Sequence, residues 1–395
     1  MWRFKFWYAL FFSLVLLSCN DDSDKITPVV HDHLVSSTTG AKFSTQTFQI
    51  YSALLGLNAL TDLIEFDVQS YRIVYKTMYK GNPIEASGII FVPQNLTGPA
   101  PLLSLHHGTT FVNNEAPSVT KDFTGLEFFS SVGYITMVPD FLGYGTSSSI
   151  FHPYYDEGYS SSAVTDMILA SKEFLSDENI PFNEKLFLAG YSEGGYVTLA
   201  AAKSIELNPI PGSTITAVAA GAGGYDLKDL LHEILQQGEY VSPSYLAFLV
   251  MAYNETNDWN LPLTAFFREP YADELSTYLY GDYNADFINA KLTNDLESLF
   301  TENFYQELTD PEGDSDFRDA LEKNSVHGWN TSLPIKLYHG EADEVVPYQN
   351  SEITIQEFED QGSENVSLTL FPLSNHVQSL TPTLVDVIFW FDTLK

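Results

Sequence analysis

One run of eleven residues constrains this chain more than any other: Lys185-Leu186-Phe187-Leu188-Ala189-Gly190-Tyr191-Ser192-Glu193-Gly194-Gly195. An apolar strand runs into Gly-x-Ser-x-Gly, and the Ala- and Leu-rich stretch from Gly195 to Leu207 reads as the helix that follows. A serine at so sharp a strand-to-helix turn holds a strained backbone, and only residues without Cβ at Gly190 and Gly194 let strand and helix approach closely. The turn lifts the Ser192 hydroxyl above the sheet. The pentapeptide alone would arise by chance on the order of 0.1 times in a chain of this length. Strand before and helix after are what sharpen it.

From Ser70 onward, short β-branched or aromatic runs alternate with longer helical patterns, which predicts an α/β fold with a mostly parallel sheet. Tyr71–Met78 and Ile84–Val92 flank the turn residues Gly81-Asn82-Pro83 and read as an antiparallel hairpin. Buried strands follow at Pro101–His107, Tyr134–Pro139, Lys185–Tyr191, Thr216–Ala222, Ile335–His339 and Val366–Pro372. Ser161–Ser176 and Gly195–Leu207 read as crossover helices, and Leu380–Leu394 as a closing one.

From about Asp226 to Ser332 no convincing strand occurs. Aromatic residues crowd there instead, among them Tyr240, Tyr245, Phe248, Tyr253, Trp259, Phe266, Phe267, Tyr278, Tyr280 and Phe304. With 5 Lys/Arg against 21 Asp/Glu, the interval predicts a helical cap that is acidic outside and apolar within. Most of the aromatics are expected in its core, and a minority in a cleft.

At Gly190-Tyr191-Ser192-Glu193-Gly194 the chain resembles the α/β-hydrolase family, and the resemblance extends from about Tyr71 to the C-terminus. That family runs serine, then acid, then histidine, the last two on loops after late strands. Of nine histidines only His376 lies beyond the strand ending at His339, in the loop Leu373-Ser374-Asn375-His376. The preceding strand ends His339-Gly340-Glu341-Ala342-Asp343-Glu344-Val345-Val346-Pro347, similar to the family's acid-bearing turn with Asp343 at the acid position. Glu341 and Glu344 are alternative acids in the same turn.

The chemistry of each role follows. A serine hydroxyl is a poor nucleophile until a neutral imidazole accepts its proton, so His376 is the expected base and Asp343 its orienting acid. The backbone N–H of Glu193, next after the nucleophile and at a helix N-terminus, is one expected oxyanion donor, with no part required of its side chain. The second is Thr109 N–H, since His106-His107-Gly108-Thr109-Thr110 resembles the family's oxyanion turn. His106 reads as a buried strand residue and His107 as a structural hydrogen-bonder. Asp140 reads as a loop-fixing residue.

These details look most like secreted lipases and bacterial esterases, which implies a carboxylic ester hydrolase acting on a small or lipid-like ester. Esters borne by plant polysaccharides are a further substrate class. A serine peptidase of prolyl-oligopeptidase type shares fold and triad order, but its large propeller has no room before the first strand. A non-catalytic surface binding protein with a hydrolase shell is the third reading, against which the intact triad stands.

Composition narrows the field. Lys plus Arg number 18 against 52 Asp plus Glu, a formal charge of −34 that repels phosphate backbones, so nucleic acid is not an expected partner. No cofactor is called for: Gly221-Ala222-Gly223-Gly224-Tyr225-Asp226 has Asp where a dinucleotide fingerprint needs its third glycine. No metal site is expected either. Asp310–Glu322 has no register that fits a calcium hand and reads as a solvated loop, and His31 and His33 alone cannot close a site.

Arg3 and Lys5 precede the apolar run Phe6–Leu17, the layout of a secretory signal over residues 1–18. Leu16-Leu17-Ser18-Cys19 resembles a bacterial lipobox, which implies lipidation of Cys19, the only cysteine. An ordinary signal peptide or a single membrane anchor are the other readings. Residues 19–44 read as a flexible tether, 45–225 and 333–395 as the two parts of the hydrolase core, and 226–332 as the cap. Export follows, as an outer-membrane lipoprotein joined to the membrane by its lipid and in some cases facing the cell surface.

Overall fold

The computed structural model describes residues 31–121, 123–310 and 315–395. The signal segment, Cys19 and the first part of the expected tether lie outside the described residues. Among the described residues nine strands form one sheet: β1 (Leu34–Phe43), β2 (Val68–Tyr79), β3 (Asn82–Pro93), β4 (Ala100–His106), β5 (Ile135–Pro139), β6 (Phe182–Tyr191), β7 (Thr214–Gly221), β8 (Ile335–Gly340) and β9 (Val366–Phe371). Their order is β1-β2-β3-β5-β4-β6-β7-β8-β9. Pairs from β1 to β5 across β2 and β3 are antiparallel; those from β5 through β9 are parallel.

The β2–β3 hairpin closes one residue earlier than the turn residues imply. Tyr79 pairs with Asn82, leaving Lys80 and Gly81 at φ 47° and 73° as the two left-handed turn positions.

The tether expected over 19–44 is overturned from Leu34 onward, where β1 pairs with β2 from Leu34↔Tyr75 to Phe43↔Val68. This is an edge strand with nearly every side chain exposed, so it lacks the alternation by which a half-buried strand is recognised. Its ladder holds it, and so does the Glu173 carboxylate, which accepts from the N–H groups of His33 and Leu34 at 3.2 and 2.7 Å. His31 pairs with Asp177, Nε2 to Oδ2 at 2.8 Å, and thereby fastens the strand's start to a helix.

Because side chains alternate along a strand, the sheet divides the core in two. Leu186 and Leu188 of β6 pack with Val164, Met167, Val197 and Leu199 from helices α2 (Glu157–Asp177) and α3 (Glu193–Leu207). Phe187 and Ala189 face the other way, into a cluster with Phe48 of α1 (Thr45–Leu54) and with residues of the last helix.

Among its described residues the interval 226–332 holds helices joined by loops and no ladder strand, apart from the isolated bridges Glu239↔Asp295 and Phe267↔Phe300. Its main members are α4 (Leu227–Gln237), α5 (Pro243–Thr256) and α6 (Asp316–Asn324). Asp226 caps α4 by accepting from the N–H groups of Lys228 and Asp229. The solvated loop expected over 310–322 is partly wrong: Ser315 caps α6, which buries Phe317 and Leu321 on the cap's core. Two more helices follow: α7 (Gln349–Asp360), whose Phe358 joins the cluster of Leu186 and Leu188, and α8 (His376–Asp392), whose Val387, Ile388 and Phe391 join that of Phe187.

Candidate active site

Strands β4, β6, β8 and β9 run parallel through their neighbours, so the loops that follow them leave one edge of the sheet. A crevice outside the carboxyl ends of the strands is where open α/β sheets place their sites. Thr109, Ser192 and Asp343 lie on these loops, and Glu193 and His376 are each the first residue of the helix that follows.

Tyr191 ends β6, and Ser192 turns at φ 59°, ψ −127° before α3 begins. A Cβ at Gly190 would come within 3.0 Å of Gly194 O, and one at Gly194 within 3.0 Å of His106 O, so neither position admits a side chain. The strained turn is held by Ser192 N–H donating to Gly221 O at 2.8 Å, which ties it to the end of β7.

His376 is the first residue of α8, behind an Asn375 cap closed reciprocally by Gln378. Its Nε2 lies 2.9 Å from Ser192 Oγ and its Nδ1 2.6 Å from Asp343 Oδ2. An ionised carboxylate only accepts, so Nδ1 carries the hydrogen and the Nε2 lone pair faces the serine hydroxyl.

The Asp343 side chain is fully buried. Its Oδ1 accepts from the N–H groups of Val345 and Val346 at 2.9 and 2.8 Å, and its Oδ2 also faces His339 Nε2 at 3.3 Å. Burial alone would push this carboxyl up, but the hydrogen bonds and charge interactions with His339 and His376 outweigh it and hold the group well below the usual carboxylate range. Glu341 and Glu344, the alternatives in the same turn, are exposed.

Glu193 opens α3, so its N–H is one of the first-turn donors for which a helix has no internal acceptor. The turn after β4 lies against the nucleophile: a Cβ on Gly108 would meet Ser192 Cβ and Tyr191 O at 3.5 Å each. Thr109 follows, its Oγ1 3.1 Å from Tyr154 Oη. His107 contacts Gly108 O at 2.8 Å and stacks on Phe141. His106 is buried between Ser104 Oγ and Thr198 Oγ1, and burial followed by the nearby His107 pushes its imidazole down to about 3. Asp140, fully buried, accepts from Ser87 Oγ at 2.6 Å and Ser118 N–H at 2.7 Å, which joins strand β3 to the loops after β4 and β5.

Three further groups have no signal in the sequence pattern. Tyr191 Oη donates to His376 O at 2.7 Å, so the residue before the nucleophile holds the backbone of the base. His339 stands behind Asp343. The Glu193 side chain, for which no part was required, is 2% exposed and meets His152 Nε2 at 2.7 Å, while His152 Nδ1 donates to Leu142 O at 2.6 Å.

Ser192 opens into a small apolar pocket of about 40 Å³, walled by Tyr154, Tyr240, Tyr245, Leu246 and Leu249 with Val346 of the acid turn. Two of the ten cap aromatics thus reach the serine. Phe266, Phe267 and Phe304 are buried among cap residues, Phe248 packs on Phe111, Phe151 and Tyr154 outside the cap, Tyr253 Oη donates to Tyr155 O, and Tyr280 is exposed.

The sheet order and a serine, imidazole and carboxylate joined in that sequence define the α/β-hydrolase fold. Residues 116–393 match the secretory lipase family, and the chain belongs to it. It is 23% identical to Lipase 2 of Candida albicans over 278 residues, which is 66% of this chain and 55% of that protein, so the match spans little more than half the relative's length. A hydrolase structure from Legionella pneumophila superposes with a TM-score of 0.83 at 26% identity, covering 92% of this chain and 98% of the other. The rice cell wall degrading esterase LipA of Xanthomonas oryzae superposes at 0.80 with 24% identity, over 92% and 99% of the two chains. Closed lipase A of Candida antarctica gives 0.66 at 16% identity, over 92% and 82%.

Proposed function

We propose that the protein hydrolyses carboxylic esters through an acyl-enzyme on Ser192. The observation that carries this reading is the unbroken relay from Ser192 Oγ to His376 Nε2 at 2.9 Å and from Nδ1 to a buried, ionised Asp343 at 2.6 Å. In the first step His376 takes the serine proton as Oγ attacks the ester carbonyl. The Asp343 carboxylate stabilises the imidazolium that forms, and the backbone N–H groups of Glu193 and Thr109 receive the oxyanion. His376 then returns its proton to the leaving alkoxide, and water activated by the same imidazole releases the acid.

The apolar walls at Ser192 and the chain's charge of −34 favour neutral, apolar esters over polyanions. Residues 226–332 serve in this reading as the cap over the site. Membership of the secretory lipase family agrees with export, and the lipobox-like Leu16-Leu17-Ser18-Cys19 supports a lipid anchor at Cys19 in the outer membrane.

The test is hydrolysis of short p-nitrophenyl esters and of peptidyl amides by the protein and by Ser192→Ala. Ester cleavage by the parent and a loss of about 10⁶ in kcat in the variant is the expected result. A variant that keeps the parental rate, or a parent that cleaves only the amides, overturns the reading. Labelling of the parent but not the variant by a fluorophosphonate gives the same answer without a substrate.

A further inference from the structure

A second cavity, about 440 Å³, lies beside the nucleophile and takes no part in the mechanism above. It stands behind the oxyanion turn, between the segment after α1 and the face of α8. Leu57, Leu60, Leu105, Phe128, Leu384 and Ile388 are among its walls. Most of these belong to the core cluster on one face of the sheet, whereas the Ser192 pocket is walled by the cluster on the other. Protein interiors hold few voids larger than a water molecule, and this volume falls within the range of small-molecule sites.

Its shape and charge point to one occupant. Along α8, Val377, Leu380, Leu384 and Ile388 fall on one stripe, running from 75% exposed at Val377 to 2% at Ile388. Leu55, 58% exposed, adds an apolar group at the rim. A long unbranched chain would meet apolar surface over that whole length. Among the described lining residues Glu115 is the one carboxylate, and none is Lys or Arg. A free fatty acid would find no cation there and would meet both Glu115 and the charge of −34, which favours a neutral ester. The cavity also comes up to the reacting centre: Gly108 and Tyr191 line it, Tyr191 precedes Ser192 in the chain, and a Cβ on Gly108 would meet Ser192 Cβ at 3.5 Å.

We propose that this cavity holds one long alkyl chain of the ester being cleaved, while the 40 Å³ pocket takes only a small substituent. The proposal rests on the ester-hydrolase reading and adds a chain-length selectivity set outside the cap. The test compares kcat/KM for p-nitrophenyl palmitate and butyrate in the parent, Leu384→Trp and Leu60→Trp, with thermal unfolding to confirm that each variant is folded. The expected result is a palmitate-to-butyrate ratio about tenfold lower or more in both variants, mainly through KM, because several methylenes lose their burial. Ratios within twofold of the parent in folded variants overturn the proposal while leaving ester hydrolysis intact. Loss of butyrate cleavage by the parent would instead overturn the underlying reading.

A crystal structure of the parent labelled with a hexadecyl fluorophosphonate decides the matter without a variant. The chain in the cavity supports the proposal. A chain beneath the cap, or free palmitate in the cavity with the covalent chain elsewhere, overturns it.

Discussion

His339 Nε2 lies 3.3 Å from Asp343 Oδ2, the same oxygen that receives His376. Nε2 is also 2.8 Å from Val346 O, which can only accept, so this nitrogen carries the hydrogen, and Nδ1 accepts from Ser351 Oγ at 2.7 Å. The Asp343 side chain thus accepts from three groups, Val345 N–H, Val346 N–H and His376 Nδ1–H, with the His339 N–H facing it and no exposure, a setting in which a carboxylate stays ionised. Asp343→Asn should lower kcat on a short ester by about 10⁴, because an amide cannot hold the imidazole in the required tautomer. His339→Ala leaves His376 its partner but removes the N–H that donates to Val346 O and faces Asp343, and opens a buried gap. We expect a loss of roughly 1–3 kcal/mol in urea unfolding, with kcat reduced far less than by Asp343→Asn.

Glu193 and His152 form a second buried pair, directly under the oxyanion donor. Glu193→Ala leaves His152 Nε2 without its partner in a site where both side chains are under 7% exposed. Stability should fall by roughly 1–3 kcal/mol, the cost of an unsatisfied buried polar group. The backbone N–H of residue 193 remains, so activity per folded molecule should survive far better than in Ser192→Ala. Glu193→Gln keeps an acceptor within reach of His152 and should recover most of the stability. Urea unfolding beside kcat on a short ester checks both.

How far the chain could be read without coordinates follows from where its information is local. Ser192 was legible because strand, turn and helix are contiguous, and the glycine requirement at 190 and 194 is steric. Asp343 and His376 were legible only by their order and by the turn each follows. The pairing of His152 with Glu193 was not, since forty-one residues separate two groups that share no motif. Edge strand β1 escaped for another reason: its ladder is made by backbone groups, and its exposed side chains carry no periodic signal. The cavity behind Gly108 is a property of how α8 packs, and leucines spaced for a core look the same whether or not the core is full.

Tyr191 Oη, buried beside Ser379 Oγ at 2.8 Å, donates to His376 O at 2.7 Å and so fixes where the base begins its helix. Tyr191→Phe removes that bond and keeps the ring. Losing this buried hydrogen bond should cost about 1 kcal/mol in urea unfolding. Because the imidazole is placed through this backbone, kcat should fall about tenfold with little change in KM. A change confined to KM would remove Tyr191 from the set of positioning residues.

The cap joins the core through an acidic seam whose stability depends on pH. Glu233 on α4 is pushed up to about 7 by burial, then by Asp229 and Glu352. His327 is raised to about 9, first by its hydrogen bond to Glu357, against burial, and further by the charges of Glu357, Asp226 and Glu322. For an acid held protonated in the fold, stability is lost as pH rises from its ordinary 4.5 through about 7. For a base held protonated, the contribution is complete below 6.5 and is lost as pH rises through about 9. Both groups therefore weaken the seam in the same direction. Since each is partly exposed and screened by solvent, an effect on the order of 1 kcal/mol per group is expected, or about 2 °C in Tm for a chain of this size. Glu233→Gln should raise Tm at pH 8 and leave it unchanged at pH 4, and His327→Gln should flatten the decline between pH 6.5 and 9. Thermal unfolding across pH 4–9.5 reads both, and a parent whose Tm rises through this alkaline range would contradict the assignment.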